Sequence, residues 1–274
     1  MVLSSRTFCD SLIMKLKLPN WGSLCNPNLL MNSDYRSGII NQNGQTSYTK
    51  GSEDWGKMYS IDMWALQRGV QLNVNDGNIS VKCTNSSEPG YLMQKVNYVG
   101  KATAVINIQS ITGEVSLNTA YGKYDLLKKG LNIITYDFGF EQSDSWFSIR
   151  ISEGVTVSID FMKLEKGSFF TGMPLWNNSE ELTKCMTYYR ILDLSFTGGL
   201  SNGTYMPRQR FLFENIMRKI PSVNHVSTQT LYNCTAEIEY VDRFGITLKS
   251  IPTNKNDDWA ILGYRVELDA YDYD

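Results

Sequence analysis

The side chains that could do chemistry in this chain are few and scattered. Its single histidine, His225, sits in "IPSVNHVSTQTL", a stretch that reads as a strand. General-base or nucleophilic work needs an oriented partner within hydrogen-bond reach, and the neighbouring residues offer none. A structural histidine is expected. No GxSxG, phosphate-binding glycine loop, dinucleotide fingerprint or HExxH pattern occurs. The carboxylates Asp62, Glu141, Asp144, Asp160 and Glu165 remain for a glycosidase, whose chemistry requires two carboxyls at a defined separation. Asp160 and Glu165 fall on a strand and its exit turn, where a salt bridge or a turn hydrogen bond is the simpler expectation. No catalytic residue is assigned, and the chain is read as a non-enzyme.

Metal and cofactor chemistry fares similarly. The turn "NVNDGN" (Asn73 to Asn78) supplies the oxygen donors that calcium takes, but without EF-hand spacing. A plain β-turn is expected there, and neither a metal site nor a cofactor is assigned. The five cysteines, Cys9, Cys25, Cys83, Cys185 and Cys234, are odd in number and far apart, with no CxxC or Cys/His ligand pattern. They read as free, mostly buried thiols of a protein that folds in a reducing cytoplasm.

Aromatic side chains offer more. Tyr35, Tyr48, Trp55, Tyr59, Tyr91 and Tyr98 lie on turns and polar faces. A flat ring stacks on the apolar face of a sugar, while neighbouring Asn, Asp and Arg bond its hydroxyls. Tyr35, Tyr48, Trp55 and Tyr91 are therefore the candidate glycan-binding set. Trp64, in "YSIDMWAL", is expected in the core.

These residues need a scaffold, and the sequence describes one. At 274 residues the chain fits one large or two ordinary β domains, and its 42% hydrophobic content can bury a core. The net charge of −2 carries no basic stripe, which argues against nucleic acid. No apolar run approaches a membrane span, and the N-terminus lacks the plan of a signal peptide, so neither insertion nor export is expected. Residues 1–27 read as a leader or anchor segment. From Asn28 short alternating runs are separated by turns such as Asn43-Gly44, Asn75-Asp76-Gly77 and Pro89-Gly90. Phe147, Ile149 and Ile151 alternate, as do Val155, Val157, Ile159 and Phe161, which predicts half-buried antiparallel strands. The fold class expected is all-β: a jelly-roll-type β-sandwich over residues 28–168, then a linker and short helix over 169–192, then a small antiparallel β domain over 193–274.

The helix is read from Asn178 as cap, with Glu181 at the capping-box position. Leu182, Cys185, Met186 and Tyr189 form its apolar stripe at i, i+3, i+4 and i+7. Tyr188 and Arg190 are left to face solvent or a neighbour. Beyond it, "TAEIEYVDRFGITLKS" predicts a hairpin turning at Asp242 to Gly245. The last strand should bury Ala260, Leu262, Tyr264, Val266, Leu268 and Ala270 on one face.

Two passages together resemble a known family. "NPNLLMNSDYRSGIINQNGQTSYT" followed by "YSIDMWAL" is similar to the opening of carbohydrate-binding-module-like domains in phage tail and prophage proteins. "FMKLEKGSFFTGMPLWNNSEELTKCMTYYRIL" resembles the passage that closes them. The match spans roughly Asn28 to Leu192, and "NIMRKIPSV" with the terminal "VELDA" resembles the small β domain that often follows. Asp62-Met63-Trp64 stands where the family usually has Asp-Arg-Trp, and Gly172-Met173-Pro174-Leu175 replaces Thr-Pro-Phe. The resemblance implies a virion component: a tail fibre, baseplate-associated or receptor-binding protein, homotrimeric, anchored to other tail proteins through residues 1–27 and displaying its sandwich to a host cell-surface glycan. It implies release by lysis after folding in the host cytoplasm. The other roles to weigh are a purely structural tail adaptor or decoration protein and, more remotely, a cell-wall depolymerase.

Overall fold

The alternation of apolar and polar residues becomes two stacked sheets. The computed structural model describes residues 25–51, 57–85, 87–120, 123–138, 146–174, 176–198, 208–253 and 259–271. The chain divides into two compact units, one running through Glu181 and one from Leu182 to Asp274.

In the first unit, one six-stranded sheet runs in the order β1 (Ser47–Thr49), β4 (Val70–Asn75), β5 (Asn78–Cys83), β12 (Thr156–Lys166), β7 (Gly100–Ile111) and β10 (Gly130–Phe138). A second six-stranded sheet runs β2 (Met58–Tyr59), β3 (Ala65–Gln67), β6 (Gly90–Lys95), β11 (Trp146–Ile151), β8 (Val115–Ala120) and β9 (Lys123–Leu126). Every pairing in both sheets is antiparallel. Leu72, Val81, Ile106, Val157 and Leu164 of one sheet and Leu66, Leu92, Leu117, Phe147 and Ile149 of the other interdigitate in a single core. This is the predicted jelly-roll-type sandwich, its inner faces supplied by alternate residues of each strand. The turn at Asp76-Gly77 closes the β4–β5 hairpin, with Asn75 paired to Asn78 and Gly77 at a φ of 76°.

Residues 28–34 complete the first sheet beside β12. Leu29 donates to the Leu164 carbonyl and Met162 to that of Ser33, both at 2.7 Å. Asn28 spends its whole side chain here: Nδ2 donates to Ser33 Oγ and Met162 O, while Oδ1 accepts from the amides of Leu30 and Leu164. β12 bulges between Ile159 and Phe161, so Asp160 and Phe161 leave the core side while Met162 rejoins it.

The short helix α1 (Asn178–Cys185) departs from its expected form. Its cap is Asn177, whose Oδ1 accepts from the amides of Ser179 (3.1 Å) and Glu180 (3.4 Å). Glu181 is thereby removed from the capping-box position, and its carboxylate instead accepts from the Asn32 amide at 3.1 Å. Asn178 packs against Gly38, where a β-carbon would sit 2.9 Å from Nδ2. The predicted stripe also fails in part. Cys185 is buried, Met186 is half-buried and Leu182 is exposed. Tyr189 is buried, but it is the first residue of a strand. The helix ends because Thr187 and Tyr188 tighten into i→i+3 bonds with Lys184 and Cys185, after which the sheet takes over the backbone.

The second unit has two three-stranded sheets. One is β13 (Tyr189–Gly198), β18 (Trp259–Asp269) and β15 (Ser222–Tyr232); the other is β14 (Arg208–Leu212), β17 (Gly245–Pro252) and β16 (Cys234–Val241). Leu194, Met217, Ile246, Leu248, Ile261, Val266 and Leu268 are among its core. The predicted hairpin is β16–β17, and Asp242 Oδ1 accepts from the amides of Phe244 and Gly245 to make its turn. β18 departs from strict alternation. Gly263, at a φ of 67°, adds a residue opposite β13, so Ile261 and Tyr264 share the core face. Arg190, expected outside, is 1% exposed: its guanidinium donates to the Asn215 carbonyl and lies over the Phe213 ring. Tyr188 stacks on Tyr271.

Candidate functional site

The outer face of the second sheet carries the residues best suited to a ligand. Wherever Leu66, Leu92, Phe147, Ile149 and Leu117 point inward, their sequence neighbours must point out. Strand register then lines these up. Tyr59 stands opposite Ala65, Ala65 opposite Met93, and Met93 opposite Ser148. One row further, Gln67, Tyr91, Arg150, Ser116 and Leu126 run across five strands. Asn118 faces Tyr124 and Lys95 faces Trp146.

Ala65, Met93 and Trp146 form a small apolar floor, flanked by Tyr59 and Tyr91. The ammonium of Lys57 lies 4.0 Å from the Trp146 ring centre. Arg150 spans the face: its guanidinium lies 5.1 Å from the Tyr124 ring centre and pairs with Glu114 at 3.3 Å. Tyr124, on edge strand β9, is 41% exposed and presents an open aromatic ring. Burial raises the Tyr91 phenol above its ordinary value, Tyr124 adds to the rise, and Arg150 and Arg68 oppose it. Tyr91 is therefore a neutral hydroxyl at physiological pH.

Among the described residues, the buried atoms Trp146 Nε1, Ser116 Oγ and Asn118 Oδ1 of this face have no hydrogen-bond partner. Each costs about 1–3 kcal/mol when left unsatisfied. Together they comprise a donor, an acceptor and a hydroxyl that can serve as either. Rings for stacking and a mixed donor–acceptor set are the two features that polyhydroxylated ligands require.

The sequence-predicted aromatics have separate fates. Tyr91 belongs to this face. Tyr35 is only 1% exposed, in the 3-10 turn Tyr35–Ser37, and offers no ring to a ligand. Tyr48 is 4% exposed; its hydroxyl bonds Asn41 and Asn43, and burial pushes it up to about 12. Both are corrected to core residues: Tyr35 sits in a 3-10 turn folded inward, and Tyr48 is the inward-facing middle residue of β1. Trp55 lies outside the described residues. Trp146, Arg150 and Tyr124 were not anticipated, although the signal was present for two of them: Trp146 and Arg150 are out of phase with Phe147, Ile149 and Ile151.

The candidate carboxylates serve the fold. Glu165 pairs with Lys163 at 2.9 Å, both fully buried, and accepts from the Thr171 amide. Asp160 accepts from Asn107 at 2.8 Å, and burial raises its carboxyl above the ordinary value. Asp62 is bonded by the amide and side chain of Gln42 and is likewise raised by burial. Glu141 and Asp144 lie outside the described residues. His225 stacks on Tyr264 at 4.6 Å and bonds Thr228 at 2.8 Å. Among the described residues no group of three or more His, Cys, Asp or Glu could hold a metal ion. Cys83, Cys185 and Cys234 are buried, Cys25 is half-buried, and Cys9 lies outside the described residues. No described helix is long and apolar enough to cross a membrane.

No protein-family model and no curated protein matches the chain. Several solved structures do. A variant of a carbohydrate binding module of family 29 is 10% identical, covering 47% of this chain and 99% of its own, with a TM-score of 0.30. A second family 29 variant is also 10% identical, covering 44% and 84%, with a TM-score of 0.28. Discoidin II of Dictyostelium discoideum is 10% identical, covering 70% and 82%, with a TM-score of 0.23. At these scores the likeness identifies no ligand for this chain.

Proposed function

We propose that the protein is a non-enzymatic glycan-binding component of a phage tail, acting in adsorption through the outer face of its second sheet. The observation that carries the binding reading is the exposed Tyr124 ring beside the Arg150 guanidinium, with Tyr91 in the same cross-strand row as Arg150. A sugar ring laid on Tyr124 brings its hydroxyls toward Arg150. The phage setting rests on the resemblance in residues 28–192. The proposed anchor, residues 1–27, falls outside the described residues up to residue 24; Asn26 is already tied to the sandwich through the Thr171 hydroxyl and the Lys166 carbonyl.

A glycan array probed with the full chain tests the binding reading, followed by titration of the best oligosaccharide against Tyr124→Ala and Arg150→Ala. Saturable binding lost in both folded variants supports it. A folded protein that ignores every host-surface glycan overturns it and leaves the structural adaptor role. Sugar release from host envelope, abolished by one carboxylate substitution, would instead make the protein a depolymerase.

A further inference from the structure

The strands of the second sheet present charge of one sign on their outer face. Its outward strand positions include Lys95 and Arg150 and, among the described residues, no carboxylate. The ammonium of Lys57 joins them over the Trp146 ring. The chain as a whole holds 28 acidic residues against 26 basic ones, so strands without acids depart from its average. Two acidic side chains approach at the rim. Glu114, just before β8, lies 3.3 Å from Arg150, and Glu88, shortly before β6, lies 3.2 Å from Arg68.

Arg150 is the cation placed to meet a ligand. Its guanidinium lies 5.1 Å from the Tyr124 ring centre, and its side chain keeps 26% of its surface exposed. A guanidinium carries five N–H donors in a planar fork. Among the described residues the Arg150 side chain uses Nη1 alone, on Glu114 Oε1. The Glu114 side chain is 56% exposed, and an ion pair so open to solvent contributes little. Glu114 is therefore an exchangeable carboxylate, and it marks the place where another would take the fork with two parallel hydrogen bonds. The fields of Arg150 and Arg68 both reach the Tyr91 phenol, whose rise they oppose, so positive potential extends along this row.

We propose that the ligand of this face is an acidic saccharide, whose ring lies on Tyr124 and whose carboxylate takes the Arg150 guanidinium in place of Glu114. This names the ligand class of the face and rests on the glycan reading above. A bare anion gains the guanidinium alone, whereas a sugar acid gains the aromatic ring as well.

A glycan array carrying uronic-acid, sialylated and neutral oligosaccharides, probed with the full chain, tests it. Titrations of the best acidic oligosaccharide and of its carboxyl-reduced counterpart follow. Acidic saccharides should lead the array, and carboxyl reduction should weaken binding about tenfold or more. Binding of the acidic form should also weaken as salt is raised. Glu114→Gln removes the competing carboxylate and should raise the preference for the acidic over the reduced form about threefold, with melting temperature as the check on folding. An array led by neutral sugars, a reduced oligosaccharide that binds as tightly, or a preference unmoved by Glu114→Gln overturns this inference while the glycan reading stands. An array with no binder overturns both.

Discussion

The indole N–H of Trp64 donates to the main-chain carbonyl of Asn32, 2.8 Å away, with both residues fully buried. The Asn32 side chain extends this link in three directions, donating to the carbonyls of Ile40 and Asp62 and accepting from the Ile40 amide. Its backbone holds a φ of 48°, which asparagine tolerates better than most residues. The two stretches of the opening passage that resembles tail domains are thus joined by one hydrogen-bond network. Their conspicuous residues build the sandwich.

Trp64→Phe should therefore cost about 1–3 kcal/mol, because it leaves the Asn32 carbonyl buried without its donor. Asn32→Ala removes three bonds at once and should cost about 3 kcal/mol or more. Urea unfolding of the two variants checks both the size and the order of these effects.

Lys163 and Glu165 are a buried pair held further by Thr171 and the Gly172 carbonyl. Lys163→Met strands a buried carboxylate and should destabilise by about 3–5 kcal/mol. Adding Glu165→Leu should recover much of that loss, since the uncompensated charge is gone. A double-mutant cycle by chemical denaturation gives the coupling, and additive losses would refute it.

At the candidate glycan face, Tyr124→Ala removes an exposed ring and Arg150→Ala the cation beside it. Each should weaken oligosaccharide binding by about 1 kcal/mol or more, roughly fivefold or greater. Neither side chain belongs to the core, so melting should change little. Titration calorimetry paired with a thermal melt separates loss of binding from loss of fold.

Asp269 gives the second unit a pH dependence. Burial, reinforced by Glu267 and opposed by the Tyr271 amide and Lys219, raises its carboxyl from 3.8 to about 6. A raised folded-state value means the neutral form is favoured on folding. Its contribution is full below the unfolded value and lost as pH rises through about 6. Discounted for solvent screening, the loss should be about 1–2 kcal/mol. Asp269→Asn should flatten stability between these pH values, as denaturant melts at several pH settings would show.

Helix capping offers a local test. Asn177→Ala should cost about 1 kcal/mol by freeing the amides of Ser179 and Glu180. A larger cost at Asn178 than at Asn177 would restore the cap first expected from the sequence.

Much of this was legible in the residues alone. Period-two alternation located the strands of the sandwich, because the side chains of a strand half-buried in one core must alternate. Glycine-bearing turns and the Asp242 hairpin were readable because their chemistry is local. The burial of Trp64 and of Cys83, Cys185 and Cys234 followed from composition and context. The helix was placed correctly, but its cap and its end were not: both depend on which bonds neighbouring segments offer, and β13 claims Tyr189 while Phe213 and the Asn215 carbonyl claim Arg190.

The binding face was the least legible part. Tyr35, Tyr48 and Tyr91 are all read from the sequence as open aromatics, yet the fold sends Tyr35 of the 3-10 turn and Tyr48 of β1 inward and leaves Tyr91 of β6 half-buried on the outer face. Tyr124 and Arg150 meet, on the face that Trp146 shares, because β9, β8, β11 and β6 are neighbours in one sheet, which strand register decides and local sequence does not. The sequence by itself determined that this chain would be a layered β protein rich in aromatics. Only the tertiary structure decided which aromatics remain outside, because a residue's own pattern specifies its face within a strand, while long-range pairing specifies what lies across from it.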